Sequence, residues 1–269
     1  MAQRSHVRRA PPRPIYASPS GAPLGRQHRG RRRLLVLLAL VCLTAFAGWE
    51  YLLHVYAPGL RSEVATLPVL VRDQVTSEGG TYVSIDAMSP YLQQSIVAIE
   101  DRRFYEHHGI DPQAVVRSLL INLQSHHIDQ GGSTLEEQLA KRAIVHTTDT
   151  IHDKLRVMAL AWAIDQEFSK RQILELYLND AYYGQGAYGA QSAARVYFGT
   201  DAARLTLAQA AFLAALPQAP SIYGAHPLAA GVTDRWRTVL RDMESLGDIT
   251  AAEEQQAEAA PLSFALPNP

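Results

Sequence analysis

One cysteine, Cys42, stands in 269 residues, and it lies inside an apolar stretch. No intrachain disulfide can form, and a thiol nucleophile is excluded from the rest of the chain. Histidines occur in pairs, His107-His108 and His126-His127, but no H-E-x-x-H or comparable ligand spacing appears. They read as polar or site-lining residues, and no metal centre is expected from them. No internal repeat is found. Acid is missing from residues 1–33, which hold nine arginines and no lysine. The other 16 basic side chains therefore face all 26 acidic ones, a net of −10. Basic character is confined to a tail, which excludes a nucleic-acid surface on the folded part. That tail is rich in Pro, Gly and Ser and has no apolar period, so it is expected to be disordered.

Residues 34–56, LLVLLALVCLTAFAGWEYLLHVY, carry no charge before Glu50. The stretch is long enough to span a bilayer with some tilt, and Trp49, Tyr51 and Tyr56 fall where aromatic belts form. Arg31, Arg32 and Arg33 precede it directly, so the positive-inside rule puts the tail in the cytoplasm and everything after residue 56 outside. The competing reading is a cleaved signal peptide with Ala45-Phe46-Ala47 as the cleavage site. The uncleaved anchor is preferred because apolar and aromatic character continues past Ala47.

Residues 57–88 read as a juxtamembrane linker. Leu67 to Val75 and Thr81 to Ile85 have strand character around Gly79-Gly80, which suits a short hairpin. From Ser89 the pattern is helical. Ser89-Pro90 opens one helix, in which Leu92, Ile96 and Glu100 share a face. Asp111-Pro112 opens the next. Ser133-x-x-Glu136 is a capping box for a third helix, through about Val145. A fourth spans about His152 to Phe168. Ser169-x-x-Gln172, Thr206-x-x-Gln209 and Thr250-x-x-Glu253 cap three more, and Asp234 to Leu246 is stopped by Gly247. These elements predict a single mainly α domain over 89–261, with 262–269 a C-terminal tail.

Three stretches could carry chemistry. Glu100 and Asp101 end an apolar helical stripe, where a carboxylate suits a general base. Gly131-Gly132-Ser133-Thr134 precedes a helix directly, an arrangement that favours anions, and Gln138 and Lys141 follow within two turns. Tyr182 to Gly189, YYGQGAYG, reads as a flexible aromatic loop able to stack on sugar faces.

In order, EDRRFYEHHG, GGSTLEEQLAK, SKRQILELYLN, YYGQGAYGAQSAARVYFG and LTLAQAAFLAALPQAPSIY resemble the motifs of the peptidoglycan glycosyltransferases, family 51. The first two look like E-D-x-x-F-x-x-H-x-G and G-G-S-T-[IL]-T-Q-Q-L-A-K. The resemblance runs from about Gly79 to Pro261. It implies a lysozyme-like fold and an N-terminal transmembrane helix, as in the transglycosylase domain of class A penicillin-binding proteins. No transpeptidase segment follows, so a monofunctional type is expected. The implied substrate is lipid II, polymerised into glycan strands with inversion at C1 of the donor. Glu100 takes the role of base. Ser133, Thr134, Gln138, Lys141 and Lys154 match substrate-binding positions, and Asp101, Phe104, His107 and Gly109 match the pocket framework. Implied partners are lipid II, the nascent strand, inner-membrane lipid and other wall-synthesis proteins. No cofactor is required by the resemblance, with a divalent cation, magnesium or manganese, the one candidate.

The third motif departs from its usual Arg-Lys-x-x-Glu, because those positions hold Asp153, Lys154 and Val157, and an arginine usual four residues earlier is Asp149. Glu137 replaces a glutamine of the second motif, and Gln209 a glutamate of the fifth. Reduced activity is the resulting expectation. The alternative is a non-catalytic relative that binds lipid II or glycan within a wall-synthesis complex. A lytic muramidase ranks last, since hydrolysis usually needs two carboxylates.

Overall fold

A computed structural model describes residues 33, 36, 37, 39, 40, 42–44, 46–49, 51, 59–125, 132–147 and 149–265, with the backbone alone over 119–125. The chain divides into Met1–Leu52 and Leu53–Pro269. In the first unit the described residues are helical. The anchor expected over 34–56 lies partly outside the described residues. Among those described, no helix is long and apolar enough to cross a membrane.

Among its described residues, the second unit is mainly helical. Residues 59–64 are helical, and the helices that follow are α1 (Leu67–Ser77), α2 (Pro90–Glu100), α3 (Pro112–Ser125), α4 (Leu135–Ala140), α5 (Ile151–Glu167), α6 (Lys170–Asp180), α7 (Ala190–Phe198), α8 (Leu207–Ala215), α9 (Pro220–Ala225), α10 (Ala230–Leu246) and α11 (Ala251–Ala259). No β-ladder forms among the described residues; one isolated bridge joins Tyr182 and Tyr188. The mainly α expectation is met.

The expected hairpin is absent. Leu67 to Val75 is helical because Leu67, Val71 and Val75 recur every four residues, and all three are fully buried. Pro68 sits in the first turn, where it costs no hydrogen bond. Tertiary burial of this stripe outweighs the β preference of its valines. Thr81 to Ile85 runs into a short 3₁₀ turn, Ile85–Ala87, tied to α6. Asn179 Oδ1 accepts from Val83 N at 3.0 Å, and Glu175 accepts from Ile85 N at 2.9 Å.

Two helices lie against α2. α8 supplies the apolar run Ala210 to Ala215, and α10 supplies Val232, Trp236, Val239 and Met243. Trp236 Nε1 donates to Ala208 O at 3.0 Å, which fixes α10 on α8. α4 packs on α5 and α6. Capping boxes at Ser169, Thr206 and Thr250 start α6, α8 and α11 as the spacing predicts. Gly247, at φ 80°, ends α10.

The third box is displaced by one residue. Thr134, not Ser133, caps α4 by accepting from Glu137 N, and Glu136 turns inward, fully buried. That helix stops at Ala140, and a π-turn, Lys141–Val145, carries the chain on. Aromatic residues in YYGQGAYG also pack rather than swing free. Tyr183 is fully buried, Tyr182 and Tyr188 stack on each other at 4.6 Å, and Gly184 (φ 85°) sits so close to Pro220 O that no Cβ would fit. The expected flexible loop is a packed turn.

Candidate active site

The site starts where α2 ends. Ser89 begins the helix with its hydroxyl donating to Leu205 O at 3.0 Å, and Pro90 follows in the first turn. The buried stripe Leu92–Ile96 then aims Glu100, the last helical residue, along the same face. There the carboxylate is held from two sides. Gln138 Nε2 donates to its Oε2 at 2.8 Å, and Arg235 pairs with its Oε1 at 2.8 Å. Its side chain is 13% exposed. The sequence suggested a carboxylate among apolar groups; the structure shows one oriented by an amide and a guanidinium.

Gln138 is positioned in turn by what its carbonyl accepts. Tyr177 donates to its Oε1 at 3.0 Å, and Arg142 Nη1 lies 3.4 Å away. Arg142 Nε donates to Asp180 at 2.6 Å, with the guanidinium 4.4 Å over the Tyr177 ring. Burial opposes the arginine charge, but the Asp180 carboxylate outweighs it and raises the pKa above its usual value. Polar contacts thus run continuously from Arg235 through Glu100 and Gln138 to Arg142 and Asp180.

Beside Glu100, Asp101 turns away from the helix and inward. It accepts from His107 Nε2 at 2.9 Å and from Leu135 N at 3.1 Å, the first amide of α4. One carboxylate therefore fixes the α2 end against the α4 start, and so fixes Glu100 against Gln138. Burial opposes a charge on the His107 ring. The hydrogen bond and charge of Asp101, with Glu136, prevail and lift its pKa above the ordinary histidine value. Gly109 has φ 80°, and a Cβ there would lie 2.5 Å from Ala161 O on α5, so the close approach of loop to helix requires glycine. Thr134 Oγ1 donates to Gly109 O at 2.7 Å and closes the loop onto α4.

The predicted site residues therefore divide in two. Asp101, Phe104, His107 and Thr134 are buried and build the frame of the site. Ser133, Lys141 and Lys154 are exposed, and Gln138 is half-buried against Glu100. Reading the sequence missed Arg235 and the Arg142–Asp180–Tyr177 support. It also missed the ion cluster beneath Phe104. There Lys170 Nζ lies 2.7 Å from Glu136, 2.8 Å from Asp165 and 4.7 Å from the Phe104 ring centroid. Arg235 has one sequence signal: it adjoins Trp236 on the apolar stripe of α10.

Asp101, His107 and Glu136 bring three ligand atoms within 4.8 Å of one another. They do not suit a divalent cation, since Lys170 already neutralises Glu136 and Asp101 holds the His107 ring towards its charged form.

Third-motif positions are engaged elsewhere. Asp153 completes a capping box with Thr150, accepting from its hydroxyl at 2.8 Å and its amide at 3.1 Å, and these bonds hold its pKa below the usual carboxylate range. Val157, where the second carboxylate is usual, is packed in the core. Arg156 pairs with Glu63. Asp149 and Lys154 are exposed.

A family profile described as Transglycosylase matches residues 69–244. Penicillin-binding protein 1A of Aquifex aeolicus is 40% identical over 79% of this chain and 29% of its own length. Penicillin-binding protein 1A of Escherichia coli is 35% identical over 83% and 28%, and penicillin-binding protein 1A/1B of Bacillus subtilis 37% over 69% and 20%. The chain spans less than a third of the length of these relatives. Since the profile takes in both α2 with Glu100 and α10 with Arg235, and more than half of all residues, this chain belongs to the transglycosylase family.

Proposed function

We propose that this chain is a membrane-anchored peptidoglycan glycosyltransferase that polymerises lipid II into glycan strands. The observation that carries the proposal is the Glu100 carboxylate, held by Gln138 and Arg235 at the end of an apolar helix. Glu100 takes the proton from the acceptor's GlcNAc 4-hydroxyl. That oxygen forms a bond to C1 of the donor's MurNAc from the opposite face. The C1–O bond to the lipid pyrophosphate breaks, and the electron pair leaves with the pyrophosphate. A carboxylate locked in one orientation contributes through geometry as well as basicity. Ser133, Lys141 and Lys154 stand exposed to receive the pyrophosphate and glycan, and an ammonium there opposes developing negative charge. The apolar 34–56 stretch and its arginine tail support an inner-membrane location, with the tail cytoplasmic and the catalytic unit outside. Inner-membrane lipid, the nascent strand and other wall-synthesis proteins are its proposed partners.

A second reading is favoured by one observation. Val157 is buried where the family pattern has its second carboxylate, and Asp153 serves as a helix cap. A chain so altered binds lipid II without polymerising it. Purified full-length protein in detergent with labelled lipid II separates the two. Polymer growth supports the transferase, at a rate below that of relatives with the full motif. Saturable binding without polymer supports the binding protein.

A further inference from the structure

Arg235 is 135 residues from Glu100 in the chain, yet it is one of the two groups that hold this carboxylate. Its guanidinium is fixed at both ends. Nε donates to Ala215 O at 3.2 Å, and Nη2 donates to Glu100 Oε1 at 2.8 Å. Ala215 is the last residue of α8 and leads directly into a short 3₁₀ turn, Leu216–Gln218, so the arginine is tied to the end of that helix. Trp236, the next residue, is anchored on Ala208 O and sets the position of α10. Both Arg235 and Glu100 are largely shielded, at 18 and 13% side-chain exposure.

A paired carboxylate still has room to act. Its two oxygens offer roughly four acceptor sites, so one contact on each leaves sites free for a hydroxyl. What the guanidinium supplies is orientation, because a planar fork fixed at two points permits little rotation. Gln138 alone contacts only Oε2.

We propose that Arg235 is a positioning residue for the transfer reaction: with Gln138 it holds Glu100 in the orientation from which it takes the acceptor proton. The proton passes from the hydroxyl to Glu100 and later to solvent, since a guanidinium already carries all the protons it can hold. The proposal rests on Glu100 as the base.

The test is steady-state polymerisation of lipid II by the full chain carrying Arg235→Gln, Arg235→Lys, Glu100→Gln, and Glu100→Gln with Arg235→Gln. Circular dichroism melting of each variant establishes folding. Misplacement of a reacting group by an ångström costs roughly a hundredfold. Arg235→Gln is therefore expected to lower kcat about ten- to a hundredfold, with KM within about twofold of wild type. Arg235→Lys keeps the charge without the fork and should restore only part of the rate. In the Glu100→Gln background, Arg235→Gln should cost nothing further. If Arg235→Gln does not fold, the lysine variant alone decides, and wild-type kcat there overturns the proposal. Wild-type kcat in a folded Arg235→Gln does the same, and so does an equal loss with Glu100 already removed. Full turnover by Glu100→Gln, or none by the wild-type chain, instead removes the base assignment beneath it.

Discussion

Replacing Asp180 by alanine strips Arg142 of its counter-charge while leaving the guanidinium inside the protein. Asp180 has no exposed side-chain surface, and Arg142 is 27% exposed, 2.6 Å away. Removing one partner of a buried ion pair typically costs about 3 to 5 kcal/mol, because the other charge stays desolvated. Water reaches part of Arg142, and the Tyr177 face still contacts it, so the lower end applies: about 3 kcal/mol. That is a large share of the roughly 5 to 15 kcal/mol that holds a domain folded. Arg142→Met alone should cost a similar amount, since it leaves a buried carboxylate. Carrying both changes, the chain has neither of these two charges left inside and should lie within about 1.5 kcal/mol of wild type, a coupling of about 4 kcal/mol or more. Urea unfolding followed by circular dichroism at neutral pH measures all three. An Asp180→Ala variant within about 0.5 kcal/mol of wild type would refute this role of the ion pair. Additive single changes also defeat it, because they would mean that the two residues do not share a charge balance. A related loss of turnover is expected below the melting transition, because Arg142 helps to orient the carbonyl of Gln138.

Gly109→Ala should cost about 2 to 5 kcal/mol, combining a left-handed backbone with a Cβ pressed onto Ala161 O; unchanged thermal stability would show that the loop yields freely. Glu137 is pushed up to about 7, chiefly by burial, from an ordinary 4.5. Its folded pKa exceeds the unfolded one, so its contribution is complete below pH 4.5 and lost as pH rises towards 7. Glu137→Gln should therefore flatten the pH dependence of the unfolding midpoint across that window; parallel profiles would place the slope elsewhere. Lys141→Ala should weaken binding of lipid II more than it lowers the melting temperature, as measured by titration and by thermal unfolding. Equal affinity would assign the ammonium to solvent alone.

Much of this architecture could be read from local chemistry. The Ser169, Thr206 and Thr250 boxes each have one unambiguous partner three residues on, and each caps a helix. The box at α4 was ambiguous, because Ser133 precedes Glu136 by three and Thr134 precedes Glu137 by three. What chooses between them is Lys170, on another helix, which draws Glu136 inward. The same limit explains the missed hairpin. Valines at 69, 71 and 75 look extended until burial of 67, 71 and 75 sets the period. Of the active site, Glu100, Asp101 and Gln138 were found because they lie in short, dense motifs. Arg235 and the Arg142–Asp180 pair were not, since their partners are 135 and 38 residues away and no spacing rule joins them. Asp153 stands where the third motif usually has arginine; in the fold it completes the capping box of its own helix.

One comparison bears on everything proposed for Glu100. Wild type and Glu100→Gln are assayed side by side for polymerisation of labelled lipid II and for lipid II affinity, with folding verified by circular dichroism. Gln keeps the size and polarity of the side chain but cannot accept a proton to become a neutral acid. Loss of a general base typically costs about two to four orders of magnitude in rate. The expected result is a folded variant that binds lipid II within about threefold of wild type, while its turnover falls by about a hundredfold or more. Turnover within a few-fold of wild type in a folded, binding-competent Glu100→Gln would contradict the assignment and place the base elsewhere in the chain.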